Sequence, residues 1–352
     1  MAYASACVAG LGGGTVRLYH PADEPAYPDW FRDFPVRAPA PPGLAPVLEL
    51  DDVILSNGRD WACLYDRDGR RIEASALPRY DASFSPEPWR AAPRLPSATA
   101  YPTIAEPVVY QSVFFSHWGH FLIESIARLA RKLESPELAR LPAIYTWRPA
   151  RPPPAIEAFL AAAGVTSWPS EAFARIALRK CFVPAPTFAH EGYADPRHLA
   201  APHRVARRLL RPQPRDERPV YLSRTRVSAP IAGRLPIRNE AELEARLAAR
   251  RVRVVHMQEL ALPEQIAVMN AHRTFIGLWG SALHNILFSL DGQAVSTFVL
   301  LDAPRRPANF LLIDSIVGNA AHYLSVVRDD GEGGLTIDVE ATLAYLREVG
   351  VV

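Results

Sequence analysis

The chain has 352 residues, 49% of them hydrophobic and 22% charged, with a formal net charge of +2. That length accommodates two domains with sizeable cores, and the composition is that of a soluble globular protein. The near-neutral balance excludes a phosphate-tracking nucleic-acid surface, which needs a clear cationic excess, and no run approaches the roughly 18 uninterrupted apolar residues of a membrane-spanning helix.

The first twenty residues, MAYASACVAGLGGGTVRLYH, lack a basic leader and are broken by three consecutive glycines. They make a poor signal peptide, so a cytoplasmic location is expected, with peripheral association at the inner face of a membrane compatible with it. Cys7, Cys63 and Cys181 are odd in number and far apart, as reduced thiols would be. Lys132 and Lys180 are the only lysines; arginine, with its planar donors suited to phosphate, supplies the remaining cations.

The first hundred residues are rich in proline and aromatics, with VLELDDVILSNG (47–58) and WACLYDRDGRRI (61–72) as expected strands joined by Asn-Gly and Asp-Gly turns. From residue 104 strands alternate with helices: EPVVYQSVF (106–114), a helix over SHWGHFLIESIARL (116–129), PAIYTW (142–147), then PPAIEAFLAAAG (153–164) with Gly164 as a helix C-cap. RPQPRDERP (211–219) reads as a linker. After it comes a second α/β run: VYLSR (220–224), NEAELEARLAARR (239–251), VRVVHM (252–257), PEQIAVMNAH (263–272), TFIGLWG (274–280), SALHNILFSL (281–290) and AVSTFVLL (294–301). Alternation with short connections predicts an α/β fold of two doubly wound domains facing a cleft, residues 1–212 with a β-rich N-terminal region and residues 213–352.

Wound at 100° per residue, His117, His120, Glu124 and Arg128 share one helical face within about 80°, opposite Leu122, Ile123, Ile126, Leu129 and Leu133. Imidazole, carboxylate and guanidinium together suit proton transfer, metal binding or plain solvation. A metal-dependent hydrolase using His117, His120 and Glu124 is disfavoured because HxxHxxxE is not the HExxH spacing. Arg128, one turn on, is placed to pair with Glu124.

In FIGLWGSALHNILF a strand runs through Gly277 and Gly280 into a helix start at Ser281, Ala282 and Leu283, an anion site by geometry, though neither a Walker A loop nor GxGxxG. Arg224 and Arg226 follow a strand at its carboxyl end, where open α/β sheets bind ligands. Asn239 and Glu242 fit the N-cap and N3 positions of a capping arrangement, and Glu240 a first-turn acid favoured by the helix dipole.

HWGHFLIESIARL, YLSRTR, IRNEAEL, PEQIAVMNAHRTFIG and GSALHNILF, in this order over residues 104–330, resemble glycosyltransferase family 61. The resemblance implies a GT-B fold with Rossmann-like halves, a nucleoside-diphosphate sugar donor (a UDP-sugar is expected) in the C-terminal half, a glycan or lipid-linked glycan acceptor facing the N-terminal half, and inversion with neither metal nor cofactor. Polysaccharide or surface-glycan synthesis of the bacterial type is the expected setting. Residue by residue, it implies catalytic roles for His120 and Glu124 and donor contacts for Arg224, Glu240, Gly280, Ser281 and Asn285, which Ala282 joins through the helix-start geometry; Asn239 matches the family's Asn-Glu pair and is a further position near the site. His117, Trp279 and His284 depart from the family pattern, and with Arg226 are further positions near the site. Inverting transfer needs a base for the acceptor hydroxyl and a group that stabilises the departing diphosphate. Glu124 is the expected base, with His120 orienting it or acting in its stead. A non-catalytic nucleotide-sugar or glycan binder of the same fold is the alternative.

Overall fold

The computed structural model describes residues 3–9, 15–22, 46–57, 63–76, 94–95, 101–146, 149, 151–168, 175–211, 213–227, 235–290, 295–302 and 308–352. Its strands are β1 (Tyr3–Ala9), β2 (Thr15–Pro21), β3 (Val47–Ser56), β4 (Cys63–Tyr65), β5 (Thr103–Ile104), β6 (Val108–Val113), β7 (Ala143–Thr146), β8 (Ser167–Trp168), β9 (Arg175–Pro184), β10 (Phe188–Ala189), β11 (Tyr193–Ala194), β12 (Val220–Leu222), β13 (Arg253–Val255), β14 (Thr274–Leu278), β15 (Ser296–Asp302), β16 (Ala320–Asp329) and β17 (Leu335–Ile337). The helices are α1 (Trp118–His120), α2 (Leu129–Glu134), α3 (Pro136–Arg140), α4 (Pro154–Ala163), α5 (Ala200–Leu209), α6 (Glu240–Ala248), α7 (Leu262–Ala271), α8 (Ser281–His284), α9 (Ala308–Val317) and α10 (Val339–Glu348). The chain divides into two compact units, Val36–Arg208 and Met1–Pro35 with Leu209–Val352. Among the described residues no helix is long and apolar enough to cross a membrane.

The expected α/β character with parallel sheets is present in both units. In Val36–Arg208 the sheet order is β4-β3-β9-β6-β7-β8, with β9, β6, β7 and β8 parallel and β3 and β4 an antiparallel flank. The Asp68-Gly69 turn forms, Gly69 taking φ +76°, a left-handed conformation that glycine adopts without steric cost. Gly58 of the expected Asn-Gly turn lies outside the described residues. The Pro154 start and Gly164 cap of α4 also form, Gly164 standing at φ +74° and donating to Ala161 O at 3.1 Å. Cys63 and Cys181 are buried free thiols, pushed up to about 11 and about 12 by burial; the side chain of Cys7 lies outside the described residues.

The predicted helix over 116–129 is not one α-helix. Phe121–Ser125 winds as a π-helical turn, in which Ile126 N–H donates to Phe121 O at 3.2 Å, five residues back. Partners from outside the turn capture the carbonyls that a regular helix would use. His198 Nε2 meets Leu122 O at 2.8 Å and Thr187 N–H donates to Ala127 O at 2.6 Å; the Ser125 side-chain hydroxyl accepts from Phe115 N–H at 2.8 Å. The inserted residue rotates everything after it by roughly 100°, so the wheel stays valid for His120 and Glu124 and fails for Arg128.

Arg128 accordingly does not pair with Glu124. It is 1% exposed and donates to the carbonyls of Pro184, Ala74 and Ala76, the last two at 3.0 Å, with its guanidinium over the Tyr110 ring. It therefore joins the π-turn to the end of β9 and to the turn after β4. Burial lowers its proton affinity, and the carbonyl dipoles compensate the charge in place of a carboxylate. Arg128→Met should leave these acceptors unsatisfied and destabilise the fold by about 3 kcal/mol; an unchanged denaturation midpoint would show that Arg128 does not staple these elements.

His198 behind the turn is 1% exposed and its pKa is lowered to about 4 by burial. It is neutral at pH 7, so Nε2–H donates to Leu122 O, while Nδ1 lies 3.0 Å from Thr187 Oγ1. As pH falls through about 6.5 the unfolded chain takes up a proton that the folded site refuses until about 4. Stability in this unit therefore drops across that window, by about 3 kcal/mol. In the other unit His322, also lowered to about 4, acts in the same direction. There the buried Asp314, raised from 3.8 to about 6, opposes it, because its folded form binds the proton first as pH falls. Acid proteolysis of Val36–Arg208 should therefore quicken between pH 6.5 and 4, and His198→Asn should flatten that dependence.

The second unit carries the order β1-β2-β16-β15-β14-β12-β13, with β17 also on β16. From β13 through β2 every neighbouring pair is parallel. Its membership differs from the expected 213–352. The β1–β2 hairpin belongs here because Val16 and Leu18 are buried and β2 pairs with β16, Leu18 opposite Tyr323. Tyr19 joins the core beside Tyr345, ring centroids 4.5 Å apart.

On one sheet face Tyr221, Ile276, Phe298 and Leu324 pack with Leu243 and Leu247 of α6 and Leu343 and Leu346 of α10, about 2 kcal/mol for each fully buried leucine. The opposite face at Gly277 meets Leu283. The connections leaving adjacent strands β12 and β14 thus run to opposite faces, and a crevice opens outside their carboxyl ends.

Candidate functional site

In Val36–Arg208 the parallel neighbours β6 and β9 end side by side. β6 leads into α1 and the π-turn, which carry His120 and Glu124; β9 leads to the β10–β11 hairpin, which carries His190 between its strands. His120 Nδ1 lies 2.5 Å from Glu124 Oε2, with the imidazole 40% and the carboxylate 1% exposed. The His190 ring stacks near-parallel on His120, centroids 5.8 Å apart. Phe115 and His117 flank His120 at 5.4 and 5.2 Å. His117 is exposed and heads the turn.

The burial pattern sorts the pair chemically. A carboxylate almost wholly out of solvent and held on one imidazole nitrogen orients that ring and stabilises the cation formed when the other nitrogen accepts a proton. The exposed His120 ring is the member that can reach a hydroxyl. The sequence put Glu124 first as the base; the structure turns the imidazole, not the carboxylate, toward solvent.

In the second unit, the crevice between β12 and β14 holds the other group of expected residues. Arg224 is half-buried, and its Nη1 donates to Trp279 O at 3.4 Å, bridging the two strand ends. Its backbone N–H donates to Glu240 Oε1 at 2.7 Å, which also accepts from Tyr221 OH at 3.0 Å. Glu240 is 5% exposed, and burial pushes its carboxyl up against the pull of Arg224. It therefore fixes the backbone that presents Arg224. Gly280, extended at φ 167°, precedes Ser281 and Ala282, half-buried at the start of α8.

Other expected residues are occupied elsewhere. Asn239 stands at the helix start without capping it: its amide pairs in both directions with Ile337 backbone at 2.8 Å, drawing α6 to β17. The expected capping pair with Glu242 is thus replaced by this cross-link. Asn285 is buried and donates to Gln265 Oε1 at 2.9 Å, Arg226 forms an exposed pair with Glu259 at 3.1 Å, and His284 packs on Phe310, centroids 5.0 Å apart.

A guanidinium beside a half-buried helix start at one set of strand ends, and a buried carboxylate–imidazole pair at another, are tools for an anionic leaving group and an incoming hydroxyl. The family model described as Glycosyltransferase 61 matches residues 118–296, just over half of the chain. The chain belongs to glycosyltransferase family 61. No curated protein matches it significantly. Family 61 membership brings a sugar donor and an acceptor as the substrates, and the matched segment contains His120, Glu124, Arg224, Glu240 and the Gly280 turn.

His190 was not among the residues the sequence singled out. AHEGY offers no periodicity, and only the hairpin folded back over the π-turn brings it to His120. The visible signal is the Glu-Gly turn itself, in which Glu191 takes φ +56° and Gly192 N–H closes onto Ala189 O at 3.0 Å.

Proposed function

We propose that this family 61 protein is an inverting, metal-independent glycosyltransferase that moves a sugar from a nucleoside-diphosphate donor, a UDP-sugar, to a glycan hydroxyl in polysaccharide or surface-glycan synthesis. The two units serve as the donor and acceptor halves of a GT-B-like enzyme. His120 takes the proton from the acceptor hydroxyl as its oxygen attacks the anomeric carbon, and Glu124 holds the ring and balances the resulting imidazolium. Arg224, steadied by Glu240, and the N–H groups of Ser281 and Ala282 stabilise the negative charge on the departing diphosphate. Trp279 and His284 border the donor, and Asn285 supports the turn from behind.

The observation that carries this reading is the His120–Glu124 contact, an exposed imidazole on a carboxylate 1% exposed, in a chain of this family. A thermal-shift series with nucleoside-diphosphate sugars tests it, since a ligand that binds only the folded state raises the melting temperature. The donor should raise it, and added acceptor should give a sugar product of inverted configuration. No shift with any such donor, or a product of retained configuration, would overturn the reading.

A further inference from the structure

We propose that His120, Glu124 and His190 form a binding site for one zinc-class divalent ion, and that its occupancy arrests transfer. The second half of this proposal rests on the role given to His120 above; the binding does not. One ligand atom from each residue lies within 4.8 Å of the other two. Two imidazoles and a carboxylate are a donor set that zinc-class ions accept and that magnesium and calcium, which take oxygen ligands, do not. His117, the third ligand that helical spacing suggests, lies outside this cluster.

Tetrahedral coordination at about 2.0–2.1 Å sets ligand atoms about 3.4 Å apart, so the His120–Glu124 contact of 2.5 Å must open and His190 must close in from within 4.8 Å. The means for this are unequal among the three. Glu124 is 1% exposed and fixed, while the His120 ring is 40% exposed and His190 sits half-buried at a hairpin tip.

The base of that hairpin is tied to the π-turn by Thr187, whose N–H and Oγ both reach Ala127 O, at 2.6 and 2.8 Å. At its tip Glu191 is held at φ +56° without being glycine, a conformation kept only where the surroundings impose it. The two histidines, seventy positions apart, are thereby presented face to face before any ion arrives. Binding at His120 Nδ1 and Glu124 Oε2 moves the proton they share to His120 Nε2 and leaves a fourth position for water. Nε2 then carries a hydrogen and has no lone pair with which to take the acceptor's proton.

The test uses the full chain stripped with chelator and then titrated with Zn²⁺ alone by calorimetry, and with Co²⁺ followed by visible absorption. One equivalent should bind at micromolar concentration or tighter, with the intense visible bands of four-coordinate cobalt. His190→Ala and, separately, Glu124→Gln should each weaken binding at least tenfold while retaining the wild-type melting profile. Zn²⁺ should inhibit transfer with a midpoint matching the binding constant. Binding weaker than about 0.1 mM, or undiminished in both variants, would overturn the site. Tight, His190-dependent binding without inhibition would keep the site and remove the catalytic role of the His120–Glu124 pair.

Discussion

His120→Ala and Glu124→Gln are each expected to lower kcat for sugar transfer by about a thousandfold while leaving the donor-induced thermal shift intact. The size follows from removing a positioned base, worth about 10²–10⁴ in rate. The selectivity follows from location: both residues belong to Val36–Arg208, whereas Arg224 and the Gly280 turn belong to the other unit. Since the imidazole and carboxylate meet at 2.5 Å and act on one proton, the double variant should be little slower than the worse single variant. Effects that multiply would mean separate roles. Glu124→Gln with wild-type turnover would remove the carboxylate from the reaction altogether.

Arg224→Ala is expected to cost about 10²–10³ in kcat/KM and to weaken binding of the nucleoside diphosphate while sparing that of the bare nucleoside. A guanidinium meets phosphate oxygens with paired donors, and stabilising charge that develops on a leaving group is worth about 3 kcal/mol per contact. Arg224→Lys should recover part of the diphosphate affinity but not the rate, because an ammonium keeps the charge and loses the fork. Glu240→Gln provides a control for positioning: it leaves Tyr221 OH and Arg224 N–H with a neutral acceptor and should reproduce a milder form of the Arg224 defect. Equal loss of nucleoside and diphosphate binding in Arg224→Ala would show that the residue supports the fold of the crevice and does not grip phosphate.

The features legible in the sequence are those fixed by neighbouring residues. Pro154 and Gly164 delimit α4 through their own backbone preferences, and the strand–helix alternation from residue 220 gives a parallel sheet because the helix between successive strands returns the chain to the same end of the sheet. Arg224 and Gly280 could be placed at the carboxyl ends of strands because each directly follows a β-rich run. What escaped depended on distant partners. The π-turn exists because His198, Thr187 and Phe115 take up its polar groups, so a wheel drawn at 100° could not foresee the rotation of Arg128. Asn239 looks like a helix cap in isolation, and only the return of Ile337 gives its amide another partner. The membership of β2 was hidden for the same reason: its neighbour β16 lies far along the chain, and nothing local names it.

That neighbour has a bearing on how the protein is made. The sheet holding Arg224 is completed on one side by a hairpin translated long before β16, the strand that receives it. Val36–Arg208 is contiguous in sequence and can condense on the ribosome in the meantime, as an insertion within the other unit. Closing so large a loop is entropically slow, and until it closes the edge of β16 is open to pairing with any other chain. The segment after residue 208 is therefore not a self-sufficient module, and cutting the chain there would separate the sheet from two of its own strands, β1 and β2.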